Sequence, residues 1–433
     1  MNNVCHNQVL VISRDFVPYF PSLGGVVRVL KMSEFLDQNG FIPVILSSKG
    51  YEINYFGYEE EIKKLRITYI EDFIQKRNNL ASLNKAVPKK KNVVLSRIKR
   101  LVNQFIIPDT GVFVLFRYIS YSNHLISKYN ITNVIITSPP FSMQLVGLWI
   151  KLKYRGRINL IVDYRDGWNT TKIHRKENRF SSLLSREMER SVLKRANYLT
   201  ACSKETIEQI DKKIISISSK AHLVMNGFDS SMISKIKYEY KKGEVVRIGY
   251  FGAISDKKQS YRNPAQLLSI LRVYFNGRID ISFYGDIDLN PSWKIELEDQ
   301  IGIYPGLSHL EALNEMTKFD ILLVLHTEKD GASEVLTGKL FDYLLSLRPI
   351  LVIGPESMAA KELVENKKLG YTCNSEDQDN MIGTLEKIYH DWENDDLPAY
   401  TLNDIMEFSR QGQYRELVDL LNRIDFSDNT KKL

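Results

Sequence analysis

The sequence predicts an α/β protein of two doubly wound, Rossmann-like domains facing a central cleft. Three observations carry this. Short apolar runs recur along the chain, each followed by a small-residue or polar loop and a stretch with helical spacing, as parallel strands alternating with helices require. The run VLVIS (9–13) opens one such series and VVRIGYF (245–251) opens a second of the same design, without a detectable repeat. A length of 433 residues is enough for two cores.

Composition narrows the class. Hydrophobic content of 43% and charged content of 26% suit a soluble globular protein and exclude wholesale disorder. Cys5, Cys202 and Cys373 are far apart and odd in number, so neither a disulfide framework nor zinc spacing follows, and a reducing cytoplasm is the simplest home. The start, MNNVCHNQVLVIS, has no basic region before a long apolar segment, and no window reaches the length of a membrane span.

The net charge of +7 is concentrated. Between Lys76 and Ile107 there is no acidic residue, while Lys76, Arg77, Lys85, Lys89, Lys90, Lys91, Arg97, Lys99 and Arg100 fall there. Val94, Ile98, Leu101, Val102 and Phe105 recur among them at helical spacing. A basic helix with an apolar stripe, from Lys89 to Phe105, fits an anionic membrane surface, and it fits equally a surface helix packed on its own domain. Nucleic acid is disfavoured, because aromatic residues do not alternate with these charges. The expected location is cytoplasmic, peripheral on the inner face of the membrane.

Taken in order, VLVIS is the first strand, followed by a loop and a helix that ends near Gly40. Gly24 and Gly25 precede that helix, where paired glycines let backbone N–H groups approach a phosphate or a sugar, although a plain bend needs the same residues. FIPVILS (41–47) is the second strand. Pro108, Asp109 and Thr110 open a helical segment to about Tyr129. NVIIT (133–137) is a strand ended by Ser138, Pro139 and Pro140, and a helix runs on to about Tyr154. NLIVD (159–163) is a buried strand that emerges into Tyr164, Arg165, Asp166, Gly167 and Trp168. Charges at the carboxyl end of such a strand stand where ligands bind, which makes Asp163, Arg165 and Asp166 candidate catalytic residues. An ion pair between Arg165 and one of the aspartates is the structural alternative. A helix over 181–194, a strand over 198–201, an N-cap at Ser203 and a strand over 222–225 complete the first domain, 1–229, which closes on the turn Asn226, Gly227, Phe228, Asp229.

Lysine-rich polar sequence over 230–244 reads as a linker, and 245–407 as the second domain. After its first strand, the loop AISDKKQSYRN (253–263) holds Lys257, Lys258 and Arg262 before a helix. Strands over 279–284 and 302–304 and a helix over 310–316 lead to DILLVL (320–325) and PILVI (349–353), which bracket DGASEVLTGKLFDYLLSLRP (330–349). Strand, small-residue loop, helix and strand make a βαβ unit whose loop lies at the ligand-binding edge. Ser333, beside Gly331 and Ala332, lets a ligand come close, and a helix from about Leu336 to Leu347 offers amides around Val335, Leu336 and Thr337 to an anion such as a diphosphate. Glu334 and Asp342 can hold two hydroxyl-rich parts of one ligand, for instance a sugar and a ribose. A strand over 370–373 is last. Two closing helices with Phe408, Ser409 and Arg410 between them lead through 408–433, the final helix crossing back towards the first domain, to a tail expected to be mobile after Asp425.

These motifs resemble the retaining glycosyltransferases of the GT-B fold, in particular the large family-four group, whose signature is Glu, seven residues, Glu. Here Glu334 is followed by seven residues and Asp342, with Lys339 and Tyr343 placed as in members reading GKLFEYL. The second acid is one methylene shorter, and Val335, Leu336 and Thr337 stand where Gly-Phe-Gly often follows the first. DYRDGW (163–168) resembles the D-x-R-D-x-W segment of a bacterial surface-polysaccharide subgroup. The resemblance implies transfer of a sugar, with retention, from a nucleotide diphosphate sugar to a glycan acceptor, lipid-linked, in the synthesis of a lipopolysaccharide, capsule or similar glycan. No cofactor or metal is implied, and no clear Asp-x-Asp pair stands in a plausible place. The same resemblance assigns Glu334 to the donor sugar, Asp342 to the ribose, Gly24 and Gly25 to the phosphates, and Asp163 or Asp166 to the reacting centre. Family members carry an Arg and a Lys after the second domain's first strand; Ala253 takes the Arg position, leaving Lys258 and Arg262 as candidates. Two alternatives stay open: a sugar-nucleotide epimerase of the same fold, and a catalytically silent scaffold, which the presence of Glu334, Lys339 and Asp342 disfavours.

Overall fold

The chain folds as two α/β units, Met1–Met225 with Gln413–Leu433, and Asn226–Gly412. The computed structural model describes residues 7–20, 23–50, 58–76, 104–171, 178–327 and 338–430, those at 23–24 and 424–430 by backbone alone.

The first unit holds β1 (Gln8–Ile12), β2 (Ile42–Lys49), β3 (Arg66–Glu71), β4 (Asn133–Ser138), β5 (Asn159–Tyr164), β6 (Tyr198–Ala201) and β7 (Ala221–Leu223). They form one parallel sheet in the order β3-β2-β1-β4-β5-β6-β7. Because side chains alternate along a strand, Leu10 and Ile12 face one apolar layer while Val9 and Val11 face the other. The first layer packs the helices Leu115–Tyr129, Ser142–Tyr154 and Arg179–Arg195. The second packs the helix Leu23–Gln38 and, from the far end of the chain, Tyr414, Leu417 and Leu421 of the helix Arg410–Thr430. Cover on both faces explains why β4 and β5 are buried at every position and read as unbroken apolar runs. The strand order reverses between β1 and β4, so the loops leaving their carboxyl ends part and leave a crevice at that edge.

The second unit repeats the plan with β8 (Val246–Phe251), β9 (Ile254–Ser255), β10 (Ile279–Tyr284), β11 (Ile287–Asp288), β12 (Ile301–Tyr304), β13 (Ile321–Leu325), β14 (Ile350–Gly354) and β15 (Gly370–Asn374). The main sheet runs β12-β10-β8-β13-β14-β15, with its reversal between β8 and β13, and β9 pairs β11 apart from it. The helix Gly338–Leu345 follows β13.

Four details differ from the sequence reading. The edge strand β3 and the helix Glu59–Lys64 were not anticipated, because RITYIE is only partly buried and lacks the apolar run of the inner strands. The expected linker is stitched to the second unit: the Lys237 amide donates to Asn314 Oδ1 at 2.8 Å, and the Tyr238 and Tyr240 hydroxyls to the Leu345 carbonyl at 3.1 Å and to Asp320 at 2.6 Å. The units accordingly part at Met225 and Asn226 and again at Gly412 and Gln413. The last helix continues to Thr430. Most of the basic stretch lies outside the described residues.

Candidate active site

At the carboxyl edge of the first unit, the DYRDGW segment divides into two anchors and two presented groups. Asp163 is the penultimate residue of buried β5 and receives Arg28 from the first helix, Nη2 to Oδ1 at 2.7 Å and Nε to Oδ2 at 3.1 Å. Thr200 and Thr137 donate to the same two oxygens at 2.8 and 2.9 Å. Burial pushes the Asp163 carboxyl up, but Arg28 and these hydroxyls outweigh it and hold it below its ordinary range. Four donors fill a carboxylate's acceptor sites. Asp163, a catalytic candidate from the sequence, is placed here as a clamp on Arg28, whose remaining N–H groups hold the Val224 and Met225 carbonyls at 2.9 and 3.1 Å. Trp168 is the second anchor, buried, stacked on Phe141 at 5.3 Å between centroids, and donating to Ser185 at 3.0 Å.

Arg165 and Asp166 are presented instead. The Asp166 side chain is exposed, and Arg165 donates to the Pro139 carbonyl at the head of the β4 loop. Its guanidinium lies on Gly25: a Cβ there would stand 1.9 Å from Arg165 Nη1. Gly24 and Gly25 fall inside the first helix, not on a loop before it. Gly25 thus serves close approach, to an arginine of the same unit.

Sequence reasoning missed a third member, Asp15, on the loop after β1. Its neighbour Arg14 is committed to Asp72 at 2.7 Å, and among the described residues no hydrogen bond reaches the Asp15 carboxylate. Burial pushes its carboxyl from an ordinary 3.8 to about 6, against the pull of Arg165 and Arg14 and with the repulsion of Asp72 and Asp109. The signal was present, an acid just past the end of a buried strand at the reversal of strand order.

The second unit gathers positive charge at the equivalent place. Lys339, on the first turn of the Gly338 helix, donates to the Tyr250 hydroxyl at 2.8 Å and lies 4.1 Å over that ring's centroid. Gly252, just past β8 at φ +129°, makes room for it, since a Cβ there would stand 2.4 Å from Lys339 Nζ. Burial first, then Arg262, lowers the Lys339 ammonium from 10.5 to about 6. His326, just past β13, is driven to about 4 by burial and by Arg262 and Lys339, and both its ring nitrogens are buried without a partner among the described residues. No carboxylate figures among the groups that shift Lys339 or His326. A guanidinium, a buried amine that an arriving anion would reprotonate and an imidazole converge, with no counter-charge from the described residues among the groups that shift them, and such a set can receive an anion.

Of the remaining candidates, Asp342 faces its own unit's His309 at 3.2 Å, which raises that imidazole. Tyr343 is structural, its hydroxyl accepting the Phe251 amide at 3.0 Å. Lys258 lines a neighbouring cavity and is not among the groups that shift Lys339 or His326. Ser333, Glu334, Val335, Leu336 and Thr337 lie outside the described residues.

Comparison with solved structures fixes the architecture. A glycosyltransferase from Rickettsia africae superposes with a TM-score of 0.63 at 14% identity, covering 96% of this chain and 98% of its own. The fold is GT-B. Other GT-B structures that match include Anabaena HepE in complex with UDP-glucose, with a TM-score of 0.60 at 11% identity over 96% of this chain and 99% of that one. The UDP-GlcNAc 2-epimerase of Neisseria meningitidis bound to UDP-GlcNAc matches with 0.51 at 12% over 96% and 100%. No protein-family model matches the chain, and no curated protein sequence does.

Proposed function

We propose that this protein is a retaining glycosyltransferase that moves a sugar from a nucleotide diphosphate sugar to a glycan acceptor. The observation that carries the reading is the cluster of Arg262, Lys339 and His326 at the reversal of strand order in the second unit. Departure of a nucleoside diphosphate leaves charge on the β-phosphate, and a guanidinium beside a buried amine that takes up a proton as the anion arrives stabilises it. In this proposal Arg262 and Lys339 take the diphosphate, aided by the amides of Ser333, Val335, Leu336 and Thr337; Glu334 meets the donor sugar and Asp342, oriented by His309, the ribose. Gly24 and Gly25 keep a role towards the phosphates only as a further proposal. On the first unit, Asp166 and Asp15 are the acceptor-side acids, and Arg165 draws the Asp15 carboxyl down against its burial.

The acceptor is proposed to be lipid-linked, for surface polysaccharide synthesis on the inner face of a membrane. Supporting this are the acid-free basic stretch up to Ile107 and exposed aromatics nearby in sequence, Phe73, Phe105, Phe113 and Phe116, the last 82% exposed. The match to UDP-GlcNAc 2-epimerases favours one second reading, epimerisation of a single nucleotide sugar.

A thermal-shift panel of nucleotide sugars tests the donor site, because a ligand of the native state raises its melting temperature. Arg262→Ala and Lys339→Ala should abolish the shift with UDP-sugars or their counterparts on another base. If no nucleotide diphosphate stabilises the protein, or both variants respond like the parent, the reading is wrong. NMR of the sugar product, with and without glycan acceptor, separates transfer from epimerisation.

A further inference from the structure

A cavity of about 400 Å³ opens beside the cationic cluster, and none of Arg262, His326 or Lys339 lines it. Its floor is apolar, Leu325, Ile353 and Met381. Leu325 belongs to the layer packed by the helices Ala265–Tyr274 and Gln378–Glu393, whereas His326, next along the chain, turns the other way by strand alternation. His326 therefore faces away from the cavity, while Lys339 sits on Tyr250 of the floor's own layer without lining the cavity.

Three features of the wall say what would fill it. The first turn of the ten-residue helix Ala265–Tyr274 forms one side; Asn263 Oδ1 accepts the Ala265 amide at 2.9 Å, and the N-cap, Pro264, supplies no side chain to the amides that follow. The amides of Gln266 and Leu267 have no intrahelical acceptor and point an N-terminal dipole at the space. Independently, the Ser375 hydroxyl, on a lining residue only 6% exposed, has no hydrogen-bond partner among the described residues. A buried hydroxyl left unpaired is unfavourable, and a ligand reaching it removes that penalty. Lys258 adds an ammonium to the lining, and Glu376 adds a carboxylate. A bare phosphate would meet repulsion from Glu376, whereas a molecule bearing hydroxyls as well gives that carboxylate donors to accept. The volume suits a small ligand whose C–H face rests on the apolar floor.

We propose that this cavity binds a small phosphorylated polyol, its phosphate at the amino end of the Ala265 helix beside Lys258 and its hydroxyls towards Ser375 and Glu376. The site stands on its own geometry, whatever the fate of the donor reading.

Isothermal titration of the full chain with glucose 6-phosphate, glycerol 3-phosphate, glucose and inorganic phosphate tests it. One of the two phosphorylated polyols should bind saturably, with glucose and inorganic phosphate each at least about tenfold weaker. Lys258→Ala and Gln266→Glu should each weaken that binding about tenfold, the second by placing an anion at the helix end. Lys339→Ala should leave it unchanged while removing UDP binding. The proposal is overturned if neither phosphorylated polyol saturates, if inorganic phosphate alone binds as well, or if both wall variants bind like the parent. Competition by UDP together with loss in Lys339→Ala would assign the binding to the donor cluster instead.

Discussion

Replacing Lys339 with methionine should stabilise the second unit while removing nucleotide binding. The ammonium is lowered from 10.5 to about 6 by burial and by Arg262, so at about pH 7.5 the unfolded chain holds a proton that the folded chain has given up. That release costs about 4 kcal/mol, from three pH steps at about 1.4 each. The hydrogen bond from the neutral Lys339 amine to the Tyr250 hydroxyl opposes it by about 1 kcal/mol, and partial water access discounts the remainder, leaving a gain on the order of 2 kcal/mol for Lys339→Met. A gain of that size raises the melting temperature by roughly 4–8 °C in a unit of this length. The sign also fixes the pH dependence. A lysine whose folded value is depressed costs most below about pH 6, and the cost shrinks as pH rises towards 10.5, so parent and variant should converge between those limits. Binding of a diphosphate to the parent should take up a proton above about pH 6, visible as a buffer-dependent heat of binding. Scanning calorimetry at three pH values and titration with UDP supply both readouts. A variant no more stable than the parent at any pH, or one that still binds UDP, refutes the reasoning.

Gly25→Ala should displace the Arg165 guanidinium, a flexible group, at a cost under about 1 kcal/mol in stability but with at least tenfold loss of transfer, measured as kcat/KM for acceptor. Asp15→Asn should raise stability at about pH 7.5 by on the order of 1–2 kcal/mol, because an acid whose folded value is raised to about 6 loses stability as pH climbs from 3.8 through 6, and the amide has nothing to ionise. Transfer by that variant should fall and lose its rise with pH near 6; unchanged activity would remove Asp15 from the site. Asp163→Asn should destabilise the first unit by about 3–5 kcal/mol, since it leaves Arg28 buried without its counter-ion, and Arg28→Met in the same chain should recover part of the loss. An Asp163→Asn protein with the parent's melting temperature and no activity would restore a catalytic role to that acid.

Strand positions were legible because parallel strands buried on both faces must be apolar throughout, and β13 and β14 fall where their runs predict. The exposed edge strand β3 obeys no such demand, and its alternation is too weak to read. At the site, strand ends told where acids and bases would stand but not which way they would turn. Asp163 and Asp166 lie three residues apart with equal claims on paper, and only the arrival of Arg28 from 135 residues away, with Thr137 and Thr200, shows that the first is spent. The same pairing across distance makes Asp15 legible afterwards: Arg14 beside it is claimed by Asp72, so the acid that sequence would pair locally accepts no hydrogen bond on its carboxylate from the described residues and feels Arg165 and Arg14 only as neighbouring charges. A charge at a strand end is therefore a functional candidate only after its long-range partners are counted, and on that count the first unit keeps Asp15, Arg165 and Asp166 while the second keeps Arg262, His326 and Lys339.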